Sequence, residues 1–181
     1  MNKVQDVTQK CYIVHEKKPA GYVNIHLSFK EDLIGVLFIH ILNASIRRKT
    51  TVLSSMVCQA RVTIGEEIAV TEKSKESKDE APHWRDMFHI PVTRSIETGV
   101  IEIIEVGTKN SETMVGDCEI GIKEFIESAG EQYHESYIWY KEVEAGSVKF
   151  ITSFVNLEQV KPEKRQQLLD EKWKELTSRE E

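Results

Sequence analysis

Cysteine is scarce in this 181-residue chain, and its three copies, Cys11, Cys58 and Cys118, are far apart and lack any CxxC spacing. That excludes a disulfide framework and a thiolate metal site, and it fits a reducing compartment. Proline and glycine are also few, 4 and 9, too few for a disordered chain. The longest apolar run, Leu33 to Leu42, is interrupted by Gly35 and His40 and reaches only about half a membrane span. The first residues, MNKVQDVTQK, hold no apolar signal segment, so neither secretion nor membrane insertion is expected. Positive charge is in deficit. A formal net charge of -6 removes the electrostatic footprint of a nucleic-acid binder. Catalytic motifs are missing as well: no phosphate-binding glycine loop, nucleophile elbow, HExxH or clustered His and Cys, so no enzyme and no cofactor are expected. The best metal-like spacing, His83-x-x-Asp86-x-x-His89, points its members to opposite faces if it lies on a strand.

What remains is material for a core: 40% hydrophobic and 30% charged residues, enough for one domain with an extension. Period-two apolar runs rich in β-branched residues predict strands at 22–29, 36–42, 57–64, 67–72, 87–92, 100–106, 114–122, 137–142 and 147–155. Turn chemistry separates them, at Lys30-Glu31-Asp32, Gly65, Thr98-Gly99, Gly107, Lys109-Asn110-Ser111 and Ala145-Gly146. Short strands with a turn about every ten residues indicate an antiparallel sandwich. Two segments read as helical: a short turn at 123–128, and 162–179, which opens on Pro162 and Glu163. The polar stretch Thr71 to Pro82 is expected to be a mobile loop.

The segment Pro82-His83-Trp84-Arg85-Asp86-Met87-Phe88-His89-Ile90 resembles the Pro-x-Trp-x-acidic-x-Phe-x-apolar strand of C2 domains. Gly35 to Ala44 is similar to that family's opening strand. Ile101 to Glu105 with Val115-Gly116 resembles the pair around its third calcium loop, and Trp139 with Gly146 to Phe154 its closing hairpin. The resemblance implies an all-β, eight-stranded antiparallel C2-type sandwich at 31–157. An N-terminal extension with a spare hairpin at 1–30 and a charged α-helix at 158–181 flank it. Trp84, Phe88 and Ile90 are expected on one core-facing side of a strand.

C2 domains that bind calcium do so through aspartates in two loops at one end. Where the resemblance places them, this chain has Ser54 in the first loop and Glu105-Val106-Gly107 in the third, with Ser111 or Glu112 further on. Calcium takes six to eight oxygens, mainly from carboxylates, so the expectation is no calcium site. The basic tip Arg47-Arg48-Lys49 faces what remains. It offers an alternative, weak and salt-sensitive contact with anionic lipid, about 1 kcal/mol per basic residue. Lys73, Lys75 and Lys78 alternate with Glu72, Glu76, Asp79 and Glu80 and read as a solvated mixed-charge stretch.

One internal repeat stands out. Tyr12 to Phe29 aligns without gaps on Tyr137 to Phe154, with Tyr, Ile, Ala, Gly, Val, Ser and Phe identities. A sandwich has one slot for a closing hairpin, so the first copy is spare: the remnant of a tandem neighbour, or a device for partner capture or self-association. Its strand alternates Tyr22, Asn24, His26 and Ser28 with Val23, Ile25, Leu27 and Phe29. On the C-terminal helix Leu169, Trp173 and Leu176 form a narrow stripe. Tyr22, Val23, Ile25, Leu27, Phe29, Leu169, Trp173 and Leu176 are therefore the candidate partner-binding residues. The reading is a non-enzymatic, calcium-independent, cytoplasmic interaction module or structural subunit. Family resemblance adds cytoskeletal, ciliary or centrosomal scaffolds as its setting.

Overall fold

A computed structural model describes residues 5–15, 18–29, 33–48, 56–75, 81–158 and 160–178. The chain divides into two compact units, residues 1–33 and 34–181. In the first, β1 (Gln5–His15) and β2 (Lys18–Phe29) form an antiparallel two-stranded sheet.

The second unit is built on β3 (Leu33–Ile46), β4 (Cys58–Ile64), β5 (Glu67–Val70), β6 (Met87–Thr93), β7 (Thr98–Val106), β8 (Glu112–Gly121), β9 (Glu131–Tyr140) and β10 (Val143–Asn156). The strand order is β5-β4-β7-β8-β9-β10-β3-β6. β8 and β9 pair only at Asp117 and Trp139, so the sheet folds there into two layers of four strands. This is the expected antiparallel sandwich. Helix α1 (Ile122–Glu127) bridges β8 and β9, and α2 (Pro162–Thr177) follows β10.

The core lies between the layers, and alternation puts it there. β4 buries Cys58, Ala60, Val62 and Ile64 and exposes the residues between them more. On β3 the buried set shifts from Leu37, Ile39 and Ile41 to Ala44 and Ile46. A bulge causes the shift: Phe150 lies opposite Ile41 and Lys149 opposite Asn43, leaving Leu42 as the extra residue. Burial pushes the thiols of Cys58 and Cys118 up to about 12, with Glu105 and Asp117 adding to the effect. Both are core residues held as neutral thiols.

Three local expectations change. Trp84 is a core residue, but it precedes β6 rather than lying on it; its indole Nε1 donates to the Cys58 carbonyl at 3.3 Å. Residues 71–75 are not a free loop. The Ala60 and Cys58 amides donate to Thr71 Oγ1 and Ser74 Oγ, both at 2.9 Å, and the two hydroxyl residues are buried. Buried hydroxyls must pair, and β4 supplies the donors. Residues 76–80 fall outside the described set.

The third change concerns the closing turn. It sits at Lys141-Glu142, with φ of 48° and 67°, not at Ala145-Gly146. Gly146 lies inside β10, where a Cβ would meet the Ser45 carbonyl oxygen at 1.9 Å. Close approach of β3, not chain reversal, requires that glycine.

His134 stacks on Phe150 and packs against Phe125, and its Nε2 meets Thr152 Oγ1 at 2.7 Å. Burial pushes its pKa below the usual imidazole range, against an opposing pull from Glu124. The unfolded chain therefore binds this proton more tightly. The contribution is fully present above the unfolded value of about 6.5 and is lost as pH falls from there toward the folded value. Melting temperatures taken from about pH 7.5 down to about pH 5 should decline, and less steeply in His134→Gln. Parallel slopes for the two proteins would remove His134 from this role.

Candidate interaction surfaces

The end of β3, the start of β4 and the β7–β8 loop share the end of the sandwich where the resemblance places calcium loops, and the Val106 amide donates to the Val57 carbonyl there at 2.8 Å. Arg48 reaches across it. Its guanidinium lies 3.5 Å from the centroid of the Tyr140 ring and donates to the carbonyls of Met114 and, at 3.3 Å, Val115. A cation held between an aromatic face and two carbonyls contributes about 0.5–2 kcal/mol from the ring alone. Arg47 pairs with Glu144 at 2.5 Å, and Lys49 and Ser54 lie outside the described residues.

The carboxylates of this end are also committed. Glu112 pairs with Arg61 at 2.6 Å, and Glu105 is buried beside Cys58. The β7–β8 loop is tight: the Gly107 amide donates to the Ser111 carbonyl at 2.8 Å, and Lys109 and Asn110 are left-handed. Lys73 Nζ donates to Asn110 Oδ1 at 2.8 Å. Arg47, Arg48, Arg61 and Lys73 thus all have partners within the chain at this end. Among the described residues no three His, Cys, Asp or Glu side chains come together as a metal site.

On the outer face of the β6-β3-β10-β9 layer the structure seats the α2 stripe. The Trp173 ring packs edge-on to His89 at 5.5 Å and lies 6.3 Å from Phe38. Leu176 lines a cavity of about 170 Å³ with Phe38, His40, Met87 and Ile151. Leu169 is half-buried. The stripe is therefore directed at the chain's own sheet, and Trp173 keeps 36% of its surface exposed. Pro162 at the start of α2 and Glu163 in its first turn are signals legible in the sequence; the sheet beneath the stripe is not.

The spare hairpin repeats β9–β10 in geometry as well as in sequence. Tyr12 and Tyr137 are 125 positions apart, and every β9–β10 pair has a β1–β2 counterpart at that offset. Tyr137 faces Ser147 as Tyr12 faces Tyr22, and Glu131 faces Ser153 as Asp6 faces Ser28. Both ladders shift register at the same place, with Ile138 opposite Gly146 then Trp139 opposite Glu144, and Ile13 opposite Gly21 then Val14 opposite Pro19. The match thus extends upstream of the sequence repeat, to Asp6. Tyr22 and Val23 are exposed; the side chains of Ile25, Leu27 and Phe29 lie outside the description.

Sequence reasoning missed one surface. Tyr133, Tyr137 and Trp139 project from one face of β9 and are about half exposed or more. Their period-two spacing is legible in the sequence, but a closing hairpin accounts for it without any surface role.

No protein-family model matches the chain, and no curated protein matches it. Solved structures do. The first C2 domain, domain A, of a plant extended synaptotagmin 1 superposes with TM-score 0.62 at 11% identity, covering 70% of this chain and 98% of that one. A C2 domain-containing protein from a putative elicitor-responsive gene gives TM-score 0.59 at 17% identity, covering 75% and 97%. The paired C2 domains, A and B, of extended synaptotagmin 2 give 0.59 at 19% identity, covering 74% of this chain and 45% of that one.

Proposed function

We infer, for a chain whose fold is that of a C2 domain, that it acts as a calcium-independent protein-interaction module and not as an enzyme. The observation that carries the reading is the second closing hairpin. A two-stranded sheet of this kind is marginal on its own, and among the described residues no strand pairs with its outer edges. Calcium independence is supported by the carboxylates at the loop end, which are already engaged: Glu112 and Glu102 pair with Arg61, Glu144 pairs with Arg47, and Glu105 is buried beside Cys58. A divalent cation there would have to displace the arginines these carboxylates already hold. The anionic-lipid reading is weakened at Arg48, whose guanidinium is held by Tyr140 and two carbonyls within the chain, whereas Arg47 keeps 68% of its side chain exposed. A cytoskeletal or ciliary scaffold as the setting rests on family resemblance alone.

The test has two arms. The melting temperature is compared in millimolar calcium and in EDTA, and co-sedimentation with phosphatidylserine vesicles is measured in the same two conditions. Neither should respond. Native-state binding at a hundredfold excess over the dissociation constant adds about 2.7 kcal/mol, so a clear rise of the midpoint in calcium would overturn the reading. Vesicle binding without calcium would transfer the function to lipid. Affinity capture by the intact chain, read by mass spectrometry, then identifies the protein partner.

A further inference from the structure

We propose that the outer edge of β2 is a docking edge for a second C2-type sandwich that lacks its own closing hairpin. The inference rests on the interaction reading above and names the partner class of the hairpin. The occupant is read from the duplicate within the molecule. β10, which β2 repeats position for position, has β9 on one side and β3 on the other. Gly146 lies opposite Ile46 and Phe154 opposite Leu37 in that second ladder. The equivalent positions on β2 are Gly21 and Phe29, so its outer edge has the pattern that fits a β3-like first strand.

Two details sharpen the match. Gly146 is required where β3 comes closest, because a Cβ there would meet the Ser45 carbonyl oxygen at 1.9 Å. Gly21 holds the same register position, just after the same bulge. In addition, β10 buries Val148, Phe150 and Thr152 in the core, and β2 has Val23, Ile25 and Leu27 at those positions. The hairpin thus carries both the edge and the apolar alternation of a closing element. A second intact copy of this chain does not fit, because both edges of its β3 are already taken by β10 and β6. The partner is a sandwich with a free first strand, joined by strand addition.

The probe is a synthetic peptide of residues 33–46 with two added lysines at each end, offered to the full chain. Saturable binding is expected, and Gly21→Val should weaken it at least tenfold. Because that variant could disturb the hairpin itself, register is tested independently. A photoreactive group at the Ile46 position of the peptide should cross-link to Gly21 or Tyr22, and one at the Leu37 position to Phe29 or its immediate neighbours. Absence of binding, or cross-links on β10 or off the hairpin, overturns the proposal. So does concentration-dependent dimerisation of the full chain without peptide binding, which places a second copy on the hairpin. Partner capture that survives Gly21→Val leaves the interaction reading standing while removing this edge from it.

Discussion

Gly146→Ala should unfold the sandwich at denaturant concentrations where the parent chain is native. Two costs coincide at this position. The backbone has φ of 144°, where an L side chain is strained by about 1–3 kcal/mol. The added Cβ would also lie 1.9 Å from the Ser45 carbonyl oxygen and 3.1 Å from the Ile46 Cα. Backbone atoms of a paired strand cannot step aside as a side chain can. Overpacking of this kind typically costs a further 1–3 kcal/mol, roughly. The sum, about 2–6 kcal/mol, is a large share of the stability of an ordinary domain. Urea unfolding followed by tryptophan fluorescence measures it. Gly21→Ala, at the equivalent position of the other compact unit, is the comparison and should destabilise the sandwich distinctly less. Coincident curves for the Gly146 variant and the parent would mean that β3 and β10 do not approach as described.

Trp84→Ala should lose about 3–5 kcal/mol, the range for deleting a buried aromatic. Trp84 is 5% exposed, within the core cluster, and its backbone amide donates to the Leu42 carbonyl at 2.9 Å. It ties the irregular segment before β6 to β3 and β4 at once, so its loss removes volume and leaves the Cys58 carbonyl one donor short. Trp173→Ala is the informative comparison. That ring rests on Phe38 and His89 at the surface, where an aromatic contact contributes about 0.5–1.5 kcal/mol beyond its buried area. Its loss should therefore be distinctly smaller. Equal destabilisation by the two substitutions would make Trp173 part of the domain's own core and end its candidacy as a partner contact.

The sequence by itself determined the architecture. Period-two alternation places Val62 and Ile64, Ile101 and Ile103, or Val148 and Phe150 on a common face wherever the strand is laid down, and that is a local property of the chain. The internal repeat was likewise legible, because identical residues at one offset need no structure to be seen. Tertiary structure decided what those residues are for. The turn fell at Lys141-Glu142 and the nearby glycine went to the strand, where its φ of 144° and the close approach of β3 together make Gly146 obligatory. Arg48 reads as a lipid-facing charge in the sequence, yet Tyr140 and the β8 carbonyls lie within its reach once the layers close. The stripe of α2 reads as free until the outer face of β3 is beneath it. Alternation reports which residues leave water. Which partner they meet depends on contacts between segments tens of residues apart, and no local pattern encodes those.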